Sequence, residues 1–257
     1  MRKCWIWVGV VVLMAGGWVW NDAASAAPGQ EGGVLTGRAV AAVPPPADEP
    51  LRITRDTEVC GKSQPAERYR VSPAGGVQDV VVWLEGVKGH PAVPPKDTVI
   101  EIRRCRMTPR VALGFVGNAF VFRSQDPVMH NVHLYLQFAY QRRVSRRPMK
   151  LGATVYNVAF PKEGHEVRKP INRFHRFTRD TGHIQVRCNI HPWERAYVFV
   201  FDHPYAAVTG TDGAFRLTGV PPGQYTLHYW HEGYGEGQRT VHVEAGRTET
   251  LEIRLGK

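Results

Sequence analysis

The stretch Cys188-Asn189-Ile190-His191-Pro192-Trp193-Glu194, taken with Met129-His130-Asn131-Val132-His133, decides how this chain is read. A Cys with a His three residues on places sulfur and nitrogen on one short loop, and a second imidazole must then arrive from a distant strand. One thiolate and two imidazoles form a soft trigonal donor set of the kind that holds copper in electron-transfer sites. Alternate residues of a strand face opposite sides, so phase tests the candidates. Ile184, Val186 and Cys188 share one face, and His183, Gln185 and Arg187 the other, which puts the thiol on the apolar side. Upstream, His130 is in phase with Val132, Leu134 and Leu136, whereas Asn131, His133 and Tyr135 point the other way. His130 is therefore the second imidazole. Taken singly, a buried Cys is a small hydrophobe; the combination carries the metal reading.

Here the chain resembles the cupredoxins, and most closely their amicyanin-like branch, in which a His-Asn-Val-His stretch precedes Cys-x-x-His-Pro-aromatic-Met. The resemblance implies that His130, Cys188 and His191 are equatorial ligands and that Asn131 ties the two ligand segments together. One position departs: Glu194 stands where the family has its weak axial Met. A carboxylate is hard and binds closely, so a bound Glu194 would stabilise Cu(II), lower the potential and make the site more tetragonal. The same four donors would suit zinc. In a third arrangement Glu194 faces solvent, leaving the axial position empty or filled by a carbonyl. Met129, out of phase with His130, and Met149 are weak substitutes.

Arg2 and Lys3, the apolar run Trp5 to Trp20 and the small residues Ala24-Ser25-Ala26 read as a signal peptide, residues 1–26, cleaved after Ala26. The run, about 16 residues, falls short of the ~20 that span a bilayer comfortably. The expected location is periplasmic or secreted. Of four cysteines, Cys4 leaves with the signal, and in an oxidising compartment two of the remaining Cys60, Cys105 and Cys188 should pair. A Cys60–Cys105 disulfide leaves Cys188 for metal; pairing Cys188 with either of the others would abolish the site.

The rest of the pattern is all-β. Apolar runs such as Val80–Leu84, Val99–Ile102, Phe120–Phe122, Tyr197–Phe201 and Tyr225–Tyr229 are punctuated by Gly and Pro turns, and no long stretch keeps a helical period. Residues 27–32 read as a flexible linker. Gly33-Val-Leu-Thr-Gly, the strand from Val80, Asp212-Gly213-Ala214-Phe215 and Pro221-Pro222-Gly223-Gln224-Tyr225 resemble the carboxypeptidase regulatory-like domain, a non-catalytic transthyretin-like β-sandwich. Its early strands precede residue 90 and its later ones follow residue 204, so a cupredoxin-like Greek-key sandwich, 95–203, is expected as an insertion into a transthyretin-like sandwich, 33–94 and 204–257. Insertion is tolerated where a domain's ends meet at the surface. Cys60 and Cys105 would staple one domain to the other.

Basic charge concentrates between residues 142 and 179, where eleven Lys and Arg face Glu163 and Glu166 and account for most of the net +10. As a solvated loop the segment needs no partner. As a cluster it could steer an acidic redox protein, or an anionic membrane surface, toward the metal; export argues against nucleic acid. His228 and His231 lie on opposite strand faces and do not make a second site, and His165, His175, His183 and His203 have no assignment. The expected function is an exported mononuclear copper protein passing single electrons, not an enzyme, with similarity to methylamine-utilisation-type proteins. The alternative is a non-redox binding or scaffold module whose site holds zinc or nothing.

Overall fold

The computed structural model describes residues 31–93, 95–138, 154–172 and 182–256. The proposed signal peptide, most of the linker, Met149, His175 and much of the basic segment lie outside the described residues. Among the described residues, apart from the helical turn Thr57–Cys60, the regular structure is strand, as the Gly- and Pro-punctuated apolar runs require.

Four sheets form two sandwiches. In the first, a three-stranded sheet, Ala214–Val220, Gly33–Ala41 and Thr248–Leu255, faces a four-stranded one, Ala206–Val208, Val81–Glu85, Gly223–His231 and Gly235–Val243. Leu35, Val82, Leu84, Leu217, Leu227 and Ile253 fill the space between them. In the second, a five-stranded sheet runs Thr154–Phe160, His130–Phe138, Gly182–Arg187, Arg195–Phe201 and Val111–Phe115; its partner runs Glu166–Pro170, Ala119–Ser124, Thr98–Ile102 and Met107–Thr108. Here Ile100, Phe120, Phe122, Leu134, Phe160 and Ile184 are buried. Every strand of the second sandwich lies in sequence between Val81–Glu85 and Ala206–Val208 of the first. The fold is thus all-β, one sandwich inserted into another. The interval after His133, read as a solvated loop, contributes two further strands, Thr154–Phe160 and Glu166–Pro170, each at a sheet edge.

Two strands that read as apolar runs, residues 81–84 and 196–201, are buried on both faces where the sandwiches meet. In Arg195–Phe201, Ala196, Val198 and Val200 enter the core of the second sandwich, while Tyr197, Phe199 and Phe201 point out of it. These meet Val81, Trp83 and Trp230 from the first sandwich, so the sandwiches pack sheet against sheet. Trp83 lies 5.6 Å from Phe199 and 6.0 Å from Phe201, ring centre to ring centre. A part-buried ion pair crosses the same junction: the Arg110 Nε and Nη2 both donate to Glu232 Oε2, at 2.8 and 2.5 Å, and the Tyr197 hydroxyl donates to Glu232 Oε1 at 2.9 Å.

A strap, residues 51–64, leaves the first sandwich and lies over one end of the second. The Cys60–Cys105 disulfide anchors it, as expected from the cysteine count. Ile53, Cys60, Cys105 and Trp193 form a small apolar cluster under it.

Candidate metal centre

His130 opens its strand opposite Phe160, and Cys188 follows the last residue of the neighbouring strand, whose Arg187 pairs with His133 and with Arg195. The hairpin between Gly182–Arg187 and Arg195–Phe201 must therefore carry residues 188–194 over the mouth of the sandwich. It is closed by backbone bonds from the Cys188 N–H to the Glu194 carbonyl and from the Glu194 N–H to the His191 carbonyl. Strand phase sends His130 and Cys188 inward with Val132, Leu134 and Val186, all buried. His133 turns outward and bonds Thr154 and Asn189.

The structure brings together Cys188, His130, His191 and Glu194. The two Nδ1 atoms are 3.1 Å apart, and the Cys188 Sγ lies 3.7 Å from the His191 Nδ1. Glu194 Oε1 lies 2.9 Å from the His130 Nδ1 and 3.1 Å from the His191 Nδ1. None of the four is more than 2% exposed. Glu194 therefore does not face solvent, and that arrangement is corrected: its neighbours Trp193 and Cys188 hold the loop down under the strap. Met129 is 52% exposed, whereas the four donors are buried.

Asn131 joins the two segments, as its motif implied: its Oδ1 accepts from the Asn189 N–H at 3.2 Å. Its backbone N–H and that of His191 both donate to the Cys188 sulfur, at 3.4 and 3.3 Å. Burial would raise the Cys188 thiol, but hydrogen bonds from His130 and His191, with that of the Asn131 amide, outweigh it and the pKa falls. Burial would likewise depress both imidazoles. Instead Asp126, Cys188 and Glu194 hold His130 protonated to about 11, and Cys188, Glu194 and Asp56 hold His191 to about 10.

Asp56 and Asp126, neither of which the sequence marked as part of the site, support the imidazoles from outside. Asp126, directly before Pro127, has the look of a turn residue and nothing more in the sequence; Asp56 carried no local signal. Asp126 Oδ2 faces the His130 Nε2 at 3.1 Å, and its oxygens accept the N–H groups of Arg104 and Cys105 at 2.6 and 2.7 Å. Asp56 Oδ2 lies 2.8 Å from the His191 Nε2. Asp56, Arg104 and Cys105 all have positive φ, at 49, 51 and 55°, a conformation rare for residues other than glycine. Such strain gathers where surrounding contacts over-determine the backbone, and all three residues sit in contact with the outer carboxylates or carry them.

Whether these residues fit a metal ion can be tested on the donors themselves. Metal bonds of about 2.0 to 2.3 Å place tetrahedral ligand atoms about 3.3 to 3.8 Å apart; the Cys188–His191 separation of 3.7 Å falls in that range, and the 2.9 to 3.1 Å separations among Glu194 and the two imidazoles are a few tenths of an ångström short of it. Glu194 Oε1 is buried without a hydrogen-bond partner even though both Nδ1 atoms are near it. Two imidazoles, a thiol sulfur and a carboxylate that converge in one buried space form a nest for a cation. The residues fit. His228 and His231, by contrast, are structural: His228 stacks on Trp83, and the His231 Nδ1 accepts two backbone N–H groups.

Residues 181–256 match the family model of the carboxypeptidase regulatory-like domain. That span covers Ala206 to Leu255 of the first sandwich and extends back into the Gly182–Arg187 strand of the second. No curated protein sequence matches the chain. Among solved structures, the chain is similar to an oxidised proline-to-glycine mutant of amicyanin, at 15% identity over 46% of this chain and 92% of that one, with a TM-score of 0.29. It is also similar to a purple cupredoxin from Nitrosopumilus maritimus, at 16% identity over 41% and 100%, TM-score 0.26. A Cu-containing nitrite reductase from Thermus scotoductus SA-01 aligns at 14% identity over 46% of this chain, TM-score 0.28, and the chain spans only 25% of that protein's length.

Proposed function

We propose that this chain is an exported mononuclear copper protein of cupredoxin type that passes single electrons, with His130, Cys188, His191 and Glu194 as the ligands. The observation that carries this is the meeting of one sulfur, two Nδ1 atoms and one carboxylate in a space closed to solvent. When bound, copper supplies the one-electron couple; the chain's own task is to hold the donors still. It does so with the two N–H groups on the Cys188 sulfur and the carboxylates behind each imidazole. A buried, complete donor set leaves no place for a substrate, which favours electron transfer over catalysis.

Export rests on the signal-like residues 1–26 and agrees with a disulfide at Cys60–Cys105, which an oxidising compartment preserves. Among the described residues no helix is long and apolar enough to cross a membrane. The insertion boundaries 33–94, 95–203 and 204–257 and an acidic redox partner docking on segment 142–179 belong to the same proposal, with contact at an anionic membrane surface as the other use of that charge. The burial of Glu194 beside both imidazoles favours one second reading, a closed four-donor zinc site in a scaffold module.

The visible and EPR spectra of the purified mature protein loaded with Cu(II) test the reading. Intense thiolate-to-copper charge transfer that disappears in Cys188→Ser is expected. A colourless protein that takes up one equivalent of zinc and rejects copper would replace it with the zinc reading.

A further inference from the structure

The disulfide that anchors the strap also touches the donor cluster. One donor atom each from Cys105, His130, His191 and Glu194 lie within 4.8 Å of one another, and all four residues are buried. Cys105 is bonded to Cys60, so its sulfur is no ligand in this state. Its backbone, however, is held by contacts other than that bond. The Cys105 and Arg104 N–H groups are held by Asp126, the same carboxylate that faces the His130 Nε2. The Gln64 side-chain amide bonds the carbonyls of both Cys60 and Arg104 at 2.9 and 2.8 Å, keeping strap and site together from a second point. If the bond opened, these contacts would keep the Cys105 backbone next to the site, with its thiol within a rotamer's reach of the imidazoles.

We propose that Cys105 is a second sulfur ligand of the same centre, masked by the disulfide and released by a dithiol reductant. The inference rests on the metal reading above. The step balances simply: the dithiol gives two electrons and two protons to the Cys60–Cys105 bond, leaving two thiols and an oxidised dithiol. Coordination then displaces the proton of Cys105 to solvent. A disulfide sulfur is a poor donor, whereas a thiolate is soft and strong, so the donor set changes from two nitrogens, one sulfur and one oxygen to one richer in sulfur. That change favours Cu(I) and Zn(II) over Cu(II). The thiol state of the strap thereby selects which ion, or which oxidation state, the centre retains.

Two substitutions separate this from a purely structural disulfide. Cys60→Ser and Cys105→Ser both remove the bond, but only the first leaves a thiol at the site. The probe is Co(II) alone, added without oxygen, with near-ultraviolet thiolate-to-cobalt absorption as the readout. Per bound ion, Cys60→Ser should show about double the absorption of oxidised wild type, and Cys105→Ser the wild-type value, because each thiolate contributes its own transition. Equal absorption from the two variants overturns the proposal. Should either variant fail to fold, X-ray absorption on zinc-loaded wild type, reduced by a dithiol that is then removed, decides the matter: two sulfur neighbours support it and one sinks it. Oxidised wild type that shows no absorption dependent on Cys188 would instead defeat the metal reading itself.

Discussion

The Nε2 of His191 lies 2.8 Å from Oδ2 of Asp56, a residue 135 positions earlier in the chain and in the other sandwich's strap. The contact closes the site from outside and turns the His191 Nε2 toward Asp56, so that Nδ1 faces His130, Cys188 and Glu194. Partners of this kind orient a metal-binding imidazole and raise its basicity. Asp56→Asn should therefore weaken metal affinity by roughly 10- to 100-fold, read by competition with a chelator, with the Cys188-dependent absorption preserved at saturation. Unchanged affinity would make Asp56 a bystander.

Metal-free protein should lose stability as the solution becomes alkaline. His130 and His191 are raised to about 11 and about 10, so their contribution is full below the imidazole's ordinary 6.5 and disappears as pH climbs through those values. The lowered Cys188 thiol works the other way, gaining as pH rises toward its ordinary range, but it is one group against two. Thermal unfolding of the apoprotein between pH 7 and 10 should show a falling midpoint. Metal must displace the same protons, so its affinity should rise over that interval. A flat midpoint would mean that the imidazoles are neutral without metal.

Replacing Glu194 by Met should raise the copper reduction potential, since a thioether stabilises Cu(II) less than a carboxylate does. Each tenfold change in the ratio of Cu(II) to Cu(I) affinity is about 59 mV for one electron, and a shift of at least that size is expected by spectroelectrochemistry. An unmoved potential would remove Glu194 from the ligand set.

Glu232 holds Arg110 and Tyr197 across the junction while being nearly buried itself. Glu232→Ala leaves the Arg110 guanidinium without its partner and should cost about 3 kcal/mol in urea unfolding. The double replacement Arg110→Met with Glu232→Leu should recover much of that loss, because a well-packed apolar pair can stand in for a buried ion pair. Metal affinity should not change in either variant.

What the sequence determined by itself were the features that repeat along a strand or sit within one loop. A period of two fixed the inward faces of His130 and Cys188, since a slip of one residue would have turned Val132, Leu134 and Val186 to water. Runs apolar at every position, in residues 81–84 and 196–201, carried the burial of both faces. The inward turn of Glu194 was not legible, because it follows from how the loop 188–194 closes under the strap. Asp56 and the approach of Cys105 to His130 were further out of reach. Both depend on where a distant segment lands once two sandwiches have packed, and side-chain period says nothing about that. The tertiary structure alone decided it, through sheet-against-sheet burial at Trp83 and Phe199 and a disulfide across 45 residues.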